Sequence, residues 1–172
     1  MGEEILDIVD SNDVVIGKAS RNEVYDKKLT HRIVHVFVIN DNNEVYLQKR
    51  SDEVSYMPGA WCTSAGGHVL SGETYEQAAR RELDEELGIK PNILFSVGSK
   101  FVFRIADQDR FIRVFVTLAS DIPTQSNKEV SGGEFLAKEK AEQIIKSGEK
   151  IHPQLAPCFD LLLLDDQMIS LA

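Results

Sequence analysis

The chain has 172 residues, of which 42% are hydrophobic and 27% are charged, and its formal net charge is −9. This balance is typical of a globular domain with a sizeable core, so we interpret residues 1–172 as a single domain. The acidic surplus argues against a nucleic-acid-binding protein, because neutralising backbone phosphates requires clustered lysines and arginines. It still permits a small phosphorylated substrate whose charge is balanced by bound cations.

The cysteines and the apolar segments indicate the compartment. Cys62 and Cys158 are the only cysteines, and their spacing matches neither a zinc site nor a disulfide framework. The first residues lack the basic and apolar segments of a signal peptide, and the apolar stretch at 161–164 is too short to cross a bilayer. The sequence therefore predicts a cytoplasmic protein without a membrane partner.

Strand and helix signals alternate along the chain. An N-terminal hairpin extension (1–30) and a second hairpin are predicted, with strands at 5–9, 14–18, 33–39 and 44–49. Helices are predicted at 74–87, 138–145 and 154–163, and further strands at 100–105, 111–118 and 135–137. This mixed order with hairpin links predicts an α/β (α+β) fold on a mixed β-sheet.

The helix predicted at 74–87 carries the clearest local signals. Thr74 and Gln77 form a capping-box pattern at its start, and Gly88 is the glycine expected just beyond its end. One apolar stripe is expected to pack on the sheet: Ala79, Leu83 and Leu87.

A neighbouring face of this helix is crowded with carboxylates. Glu82, Glu85 and Glu86 fall within a sector of roughly 100°. Like charges at these spacings cost a helix a few tenths of a kcal/mol per pair, so a purely structural surface would interleave lysines. Mg²⁺ gives a reason for the pattern, because it binds through carboxylates and substrate phosphates. Gly66 and Gly67 would let a backbone carbonyl approach such a metal.

Residues 67–89 resemble the Nudix box at every defining position, which read Gly67-x5-Glu73-x7-Arg81-Glu82-Leu83-x-Glu85-Glu86-x-Gly88-Ile89. The resemblance implies an α/β/α sandwich and dependence on a divalent metal, Mg²⁺ with Mn²⁺ as an alternative. It also implies hydrolysis of a nucleoside diphosphate linked to another group. The expected partner is a small-molecule diphosphate, and the N-terminal extension is compatible with a homodimer.

The same resemblance assigns roles within the box. Glu82, Glu86 and the carbonyl of Gly66 are implied as metal ligands, and Glu85 as an assisting catalytic carboxylate. Glu73 and Arg81 are expected to form a supporting ion pair that braces the loop against the helix.

A general base is expected outside the box, since several family members take a glutamate from a later loop. Glu129 is the first candidate and Glu134 the second. Lys49 and Arg50, after a predicted strand, are expected to neutralise the non-reacting phosphate. Substrate specificity is expected from the loops at 92–98 and 125–133.

Segments outside the box resemble the branch related to isopentenyl-diphosphate isomerase, at residues 7–10, 15–17, 30–35, 48–51 and 67–69. Prenyl-diphosphate isomerisation is therefore an alternative. Against it, Gly66 stands where the isomerases have a catalytic cysteine, and residues 110–113 lack their pair of glutamates. A non-catalytic nucleotide-binding module is a second alternative, although no box glutamate is missing.

Four histidines complete the set of candidates. His31 and His68 match isomerase metal ligands, so they either form a second metal site, contact phosphate, or are hydrogen-bonded structural residues. His35 is expected to pack in the core, and His152 has no constellation around it in the sequence.

Overall fold

The computed structural model describes residues 3–122 and 129–165. Its elements are β1 (Ile5–Val9), β2 (Val15–Ser20), α1 (Arg21–Asp26), β3 (His31–Ile39), β4 (Val45–Arg50), β5 (Trp61–Cys62), β6 (Ala65–His68), α2 (Tyr75–Leu87), β7 (Phe95–Ile105), β8 (Gln108–Leu118), β9 (Val130–Leu136), α3 (Lys138–Lys146) and α4 (Leu155–Leu164). Among the described residues, no helix is both long and apolar enough to cross a membrane.

Strand β3 organises a seven-stranded mixed sheet in the order β5-β4-β3-β8-β7. It pairs in parallel with β8 along its whole length. On the other edge it pairs with β6 from Ile33 to Val36, and with β4 only at Val38 and Ile39. Strand β9 pairs with β4. Strands β6 and β4 thus follow one another along a single edge of β3, and both the box glycines and Gln48 border that edge.

Helices cover both faces of the sheet. On one face, Phe37 packs against Phe159 of α4 with ring centroids 6.0 Å apart, and α3 contributes Ala141 and Ile144 to the same core. On the other face, Val34 and its strand neighbours pack against α2. These two cores confirm the expected α/β/α sandwich.

Helix α2 has the predicted bounds and packing. Thr74 Oγ1 accepts a hydrogen bond from the Gln77 backbone amide, and the Gln77 side chain accepts one from the Thr74 amide. Gly88 ends the helix in the left-handed region, with φ at 68°, where glycine carries no steric penalty. The predicted apolar stripe is fully buried: Ala79, Leu83 and Leu87.

Several elements differ from the predicted ones. Helix α1 was not predicted, because six residues carry too little periodicity, although Ser20 caps it and Val24 is buried. Strands β5 and β6 were also missed. Strand β7 begins at Phe95 rather than at residue 100, so half of the loop expected at 92–98 is strand. Strand β9 spans Val130–Leu136 rather than 135–137, and residues 125–128 of the second expected loop lie outside the described residues.

The β1–β2 hairpin is attached to the domain through its turn. Asp13, with φ at 64°, is buried and accepts hydrogen bonds from Arg32 Nε at 2.6 Å and Tyr75 Oη at 3.0 Å. Lys100 Nζ lies 2.5 Å from the same carboxylate. One turn residue therefore connects the hairpin to β3, α2 and β7.

Candidate active site

The glycines before α2 allow an unusually close approach of helix and sheet. A Cβ on Gly67 would lie 2.6 Å from Cδ of Glu82, and one on Gly66 would lie 2.7 Å from the Val34 carbonyl oxygen. Any side chain at either position would displace its neighbours. The glycines therefore place the Glu82 carboxylate directly against the backbone of β6.

Arg81 locks the loop before α2 to the helix. Its Nε donates to Glu73 Oε1 at 2.9 Å, its Nη1 to Glu82 Oε1 at 2.7 Å, and its Nη2 to the His68 carbonyl at 2.8 Å. Burial would raise the pKa of Glu73, but Arg81 and the Leu70 amide lower it overall. The predicted Glu73–Arg81 pair is present, and it also orients the first candidate ligand.

Glu82 and Glu86 lie one turn apart on α2; Glu86 is buried, and the Glu82 side chain is 12% exposed. Burial raises the pKa of Glu82 to about 7, although Arg81 opposes the shift. Burial also raises the pKa of Glu86 well above its ordinary value, and the charge of Glu82 raises it further. Glu86 accepts a single described hydrogen bond, from Gln48 Nε2 at 2.7 Å. Arg81 is shared between Glu73 and Glu82, and Glu86 has no described cationic partner in hydrogen-bond contact, so the two neighbouring carboxylates form a site of excess negative charge.

The remaining candidate carboxylates occupy different surroundings. Glu85 is about half exposed (56% of the side chain) and lies 3.3 Å from Arg81 Nη1. Glu129 faces the same cleft as Glu82, and its charge contributes to the raised pKa of Glu86. Glu134 is exposed on β9 and does not line the cleft. Of the two proposed bases, only Glu129 is brought to the carboxylates.

Glu82, Glu85 and Glu129 line one open cleft of about 620 Å³, whereas Glu86 is not part of its lining. Its walls include most of the site residues predicted from the sequence: Arg50, Gly66, His68, Glu82, Glu85 and Glu129. Lys49 is exposed, with its ammonium 5.4 Å from the centroid of the Trp61 ring, and is not part of the lining. His31 is fully buried behind the wall, beside His68.

The cleft also contains two histidines that were not predicted to belong to the site. His35 donates or accepts through Nδ1 to Thr63 Oγ1 at 2.7 Å and through Nε2 to Gln154 Oε1 at 2.8 Å. His152 lies beside it, with ring centroids 6.1 Å apart. Both line the cleft, so the expectation that His152 stands without a constellation was wrong. The contacts span up to 119 positions, and no local pattern signals them.

Cys62 also lines the cleft, but its thiol is held neutral. Burial raises its pKa to about 11, and the nearby charge of Glu86 acts in the same direction. A thiol that resists ionisation is a poor nucleophile, since reactivity belongs to the thiolate.

Comparison with known proteins places the chain in a family. The model of the NUDIX domain matches residues 29–157. A Nudix hydrolase of Deinococcus radiodurans is 32% identical over 160 residues, which are 91% of this chain and 92% of that protein. A crystal structure of a protein from the same organism superposes with a TM-score of 0.78 at 30% identity, covering 91% of this chain and 98% of that one.

The chain belongs to the Nudix family. The family model and these relatives support a Nudix pyrophosphohydrolase. An isopentenyl-diphosphate Δ-isomerase of Photorhabdus laumondii is also similar, at 30% identity over 83% of this chain and 85% of that protein. That likeness agrees with the branch to which the segments outside the box were assigned.

Nudix hydrolases generally need divalent metal ions. No cluster of three or more His, Cys, Asp or Glu side chains able to hold a metal is found in the described part of the chain. Glu82 and Glu86 nonetheless offer two neighbouring carboxylates, of which Glu86 is buried, and the Gly66 carbonyl lies on the adjacent strand. The buried Oε1 of Gln48 has no partner beside them. An all-oxygen set with excess negative charge suits a hard divalent cation that keeps several waters.

Proposed function

We propose that this Nudix protein is a Mg²⁺-dependent hydrolase that cleaves a diphosphate linkage in a nucleoside di- or triphosphate, or in a related nucleoside diphosphate derivative. The observation that carries the proposal is the pair of neighbouring carboxylates on α2, Glu82 against Gly67 and Glu86 buried one turn away, with both pKa values raised. Two neighbouring carboxylates without a compensating cation lower the stability of the fold, so their presence indicates that a cation binds there.

Three groups would hold the metal: the carboxylates of Glu82 and Glu86 and the carbonyl of Gly66. When bound, the cation supplies polarisation of phosphoryl oxygens and activation of a water molecule. Mn²⁺ would meet the same oxygen donors. Arg81 orients Glu82 through its 2.7 Å hydrogen bond, and Gln48 orients Glu86.

Glu129 is the proposed general base, because it faces the cleft and interacts electrostatically with Glu86. It would take the proton of the attacking water. Glu85 assists from the solvent-facing side, where Arg81 holds it at 3.3 Å. Arg50, which donates from Nε to the Tyr56 carbonyl at 3.1 Å, lines the cleft and would neutralise the non-reacting phosphate.

The isomerase alternative is disfavoured by two observations. A side chain at Gly66, where the isomerases have their cysteine, would begin 2.7 Å from the Val34 carbonyl oxygen and 2.8 Å from His35 Nδ1. At the start of β8, the segment that lacks the isomerase glutamates instead contributes Arg110 to the cleft. Neither position supplies the acid that protonation of a double bond requires.

The test is a substrate panel. Release of phosphate and of nucleoside monophosphate would be measured from nucleoside di- and triphosphates, nucleotide sugars, dinucleotides, coenzyme A and a prenyl diphosphate, with Mg²⁺ or with EDTA. We expect Mg²⁺-dependent cleavage that falls by at least about 10²-fold in Glu86→Gln. Glu76→Gln is the matched control, because Glu76 is an exposed residue of the same helix paired with Arg80.

The panel also separates the alternatives. Isomerisation of the prenyl diphosphate without release of phosphate would replace the hydrolase by the isomerase. If the wild type cleaves no member, a non-catalytic nucleotide-binding role replaces the hydrolase. If Glu86→Gln cleaves as fast as an active wild type, the assignment of Glu86 to the metal site is wrong.

A further inference from the structure

Arg110, on β8, is a buried cation without a described counter-charge. It is 9% exposed and lines the cleft, yet no described carboxylate lies within ion-pair distance of it. Its Nε has no hydrogen-bond partner, and its Nη2 reaches Gln108 Oε1 only at 3.3 Å. A buried, uncompensated guanidinium costs free energy, so its position calls for a ligand.

The groups around Arg110 are cationic or neutral donors. Its guanidinium carbon lies 5.3 Å from the centroid of the Tyr25 ring, and Arg21 and Tyr25 of α1 line the same part of the cleft. The cleft lining also includes an acid, Glu4, which is partly exposed and pairs with Arg21 at 3.2 Å. Glu4 also lies 3.7 Å from His68 Nδ1. The net charge around Arg110 is therefore positive, whereas that of the site around Glu82 and Glu86 is negative.

This surrounding is unsuited to a second metal at His31 and His68. Tyr25 Oη lies 2.8 Å from His68 Nε2, so that nitrogen is already engaged. His31 keeps an unpartnered Nε2, but both histidines lie beside the positive charge of Arg110, which lowers the pKa of each in addition to burial. A divalent cation would meet the same repulsion.

We propose that Arg110, with Arg21 and Tyr25, forms a subsite for a phosphoryl group of the substrate that lies beyond the anhydride to be cleaved. This inference rests on the proposed function for the other part of the cleft. Guanidinium groups present planar forks of donors that match phosphate oxygens, and a phenol adds a further donor.

The register of the sheet sets the distance between the two parts. Arg110 pairs with His31 at the start of β3, whereas Gly67, against which Glu82 packs, pairs with Val34. The two backbone positions flank opposite edges of β3 and are offset by three residues, which correspond to roughly 10 Å along the strand. That separation is longer than a single phosphoanhydride link. The substrate class is therefore a diphosphate compound carrying an additional phosphoryl group, rather than a simple nucleoside diphosphate.

The subsite is tested with inorganic phosphate by isothermal titration calorimetry in excess EDTA. We expect phosphate to bind the wild type without metal and to bind Arg110→Gln at least about tenfold more weakly. Binding should be unchanged in Arg104→Gln, because Arg104 is an exposed arginine on the neighbouring strand, 3.4 Å from Asp109. No metal-free binding by the wild type, or equal binding by Arg110→Gln, would overturn the proposal.

Two further readouts separate a binding role from a structural one. Arg110→Gln should unfold at the same or a higher temperature than the wild type in phosphate-free buffer, because an uncompensated buried charge is removed. A lower unfolding temperature would make Arg110 structural. For a substrate with the additional phosphoryl group, KM should rise about tenfold in Arg110→Gln with kcat little changed, as expected for lost ground-state binding.

The failure of one proposal can be distinguished from the failure of the other. Phosphate binding in EDTA requires no hydrolysis, so its presence alongside an inactive substrate panel would contradict only the hydrolase. Metal-dependent cleavage without metal-free phosphate binding would contradict only the subsite.

Discussion

Asp13 and Glu86 are both buried carboxylates, but the fold treats them in opposite ways. Asp13 lies in the turn of the β1–β2 hairpin and meets a guanidinium, an ammonium and a phenol. Glu86 lies on α2 and meets one amide from Gln48, with a second carboxylate one turn away. Burial raises the pKa of both groups. For Asp13 the donors lower the pKa below its ordinary value, whereas for Glu86 the pKa stays well above it.

The difference shows that the charge of Asp13 stabilises the fold, whereas the charge of Glu86 is available to bind a ligand. The partners of Asp13 come from β3, α2 and β7, so its charge stabilises the attachment of the N-terminal hairpin. The charge of Glu86 has no described cationic side chain in hydrogen-bond contact. A divalent cation is the compensating group that this arrangement lacks.

The largest expected effect on stability comes from Asp13→Asn. The change removes the negative charge that Arg32 and Lys100 share, and should lower the free energy of unfolding by about 3 kcal/mol, as when one partner of a buried ion pair is lost. Unfolding in urea measures it. Asp107→Asn is the matched control. Asp107 also has a positive φ, but it is exposed and its one described ion pair, with Lys28, is long at 3.9 Å. Equal losses in the two variants would show that Asp13 is not an organising residue.

The same contrast explains what could be predicted from the sequence. Helix α2 was predicted closely because its signals are local: the capping box at Thr74, the αL glycine at Gly88, and the Glu73–Arg81 pair eight positions apart. Asp13 was interpreted only as a turn residue. Its three partners lie 19, 62 and 87 positions away, and no pattern in one sequence marks contacts of that kind.

The candidate site divides in the same way. The box spacing predicted which carboxylates share a face, but not that Glu86 would be buried while Glu85 remains half exposed. That outcome depends on Gly67 and on the approach of α2 to β6. Arg110 was seen only as part of a segment without glutamates. Its burial depends on the parallel pairing of β8 with β3, which short-range periodicity does not specify.

His31 sharpens the comparison, because it is a buried base with no carboxylate partner. Burial lowers its pKa to about 4, the Leu29 carbonyl opposes the shift, and Arg110 and Arg21 lower it further. The folded pKa lies below the unfolded value, so the unfolded chain binds more protons between these two values. The stabilisation is therefore complete above about pH 6.5 and is lost as pH falls towards 4.

The measurement is urea unfolding at pH 7 and pH 5, in wild type and His31→Gln. Protonation of His31 on unfolding should lower the free energy of unfolding of the wild type by about 2 kcal/mol between pH 7 and pH 5. The decrease in His31→Gln should be smaller than that of the wild type by this amount. His35 shares the burial and direction of shift, so His35→Gln provides a second variant of the same kind. If the free energy of unfolding of His31→Gln has the same pH dependence as that of the wild type, the fold does not lower the pKa of His31.

The smallest expected effect on stability is also the one with the opposite sign. In EDTA, Glu86→Gln should raise the free energy of unfolding by about 1 kcal/mol, because a buried charge is replaced by a neutral group of the same shape. Its amide would also place a donor near the unpartnered Oε1 of Gln48. Adding Mg²⁺ should stabilise the wild type and not the variant, which reverses their order. If Glu86→Gln were less stable than the wild type in EDTA, Glu86 would be a structural carboxylate like Asp13, and it would not be a ligand of a cation.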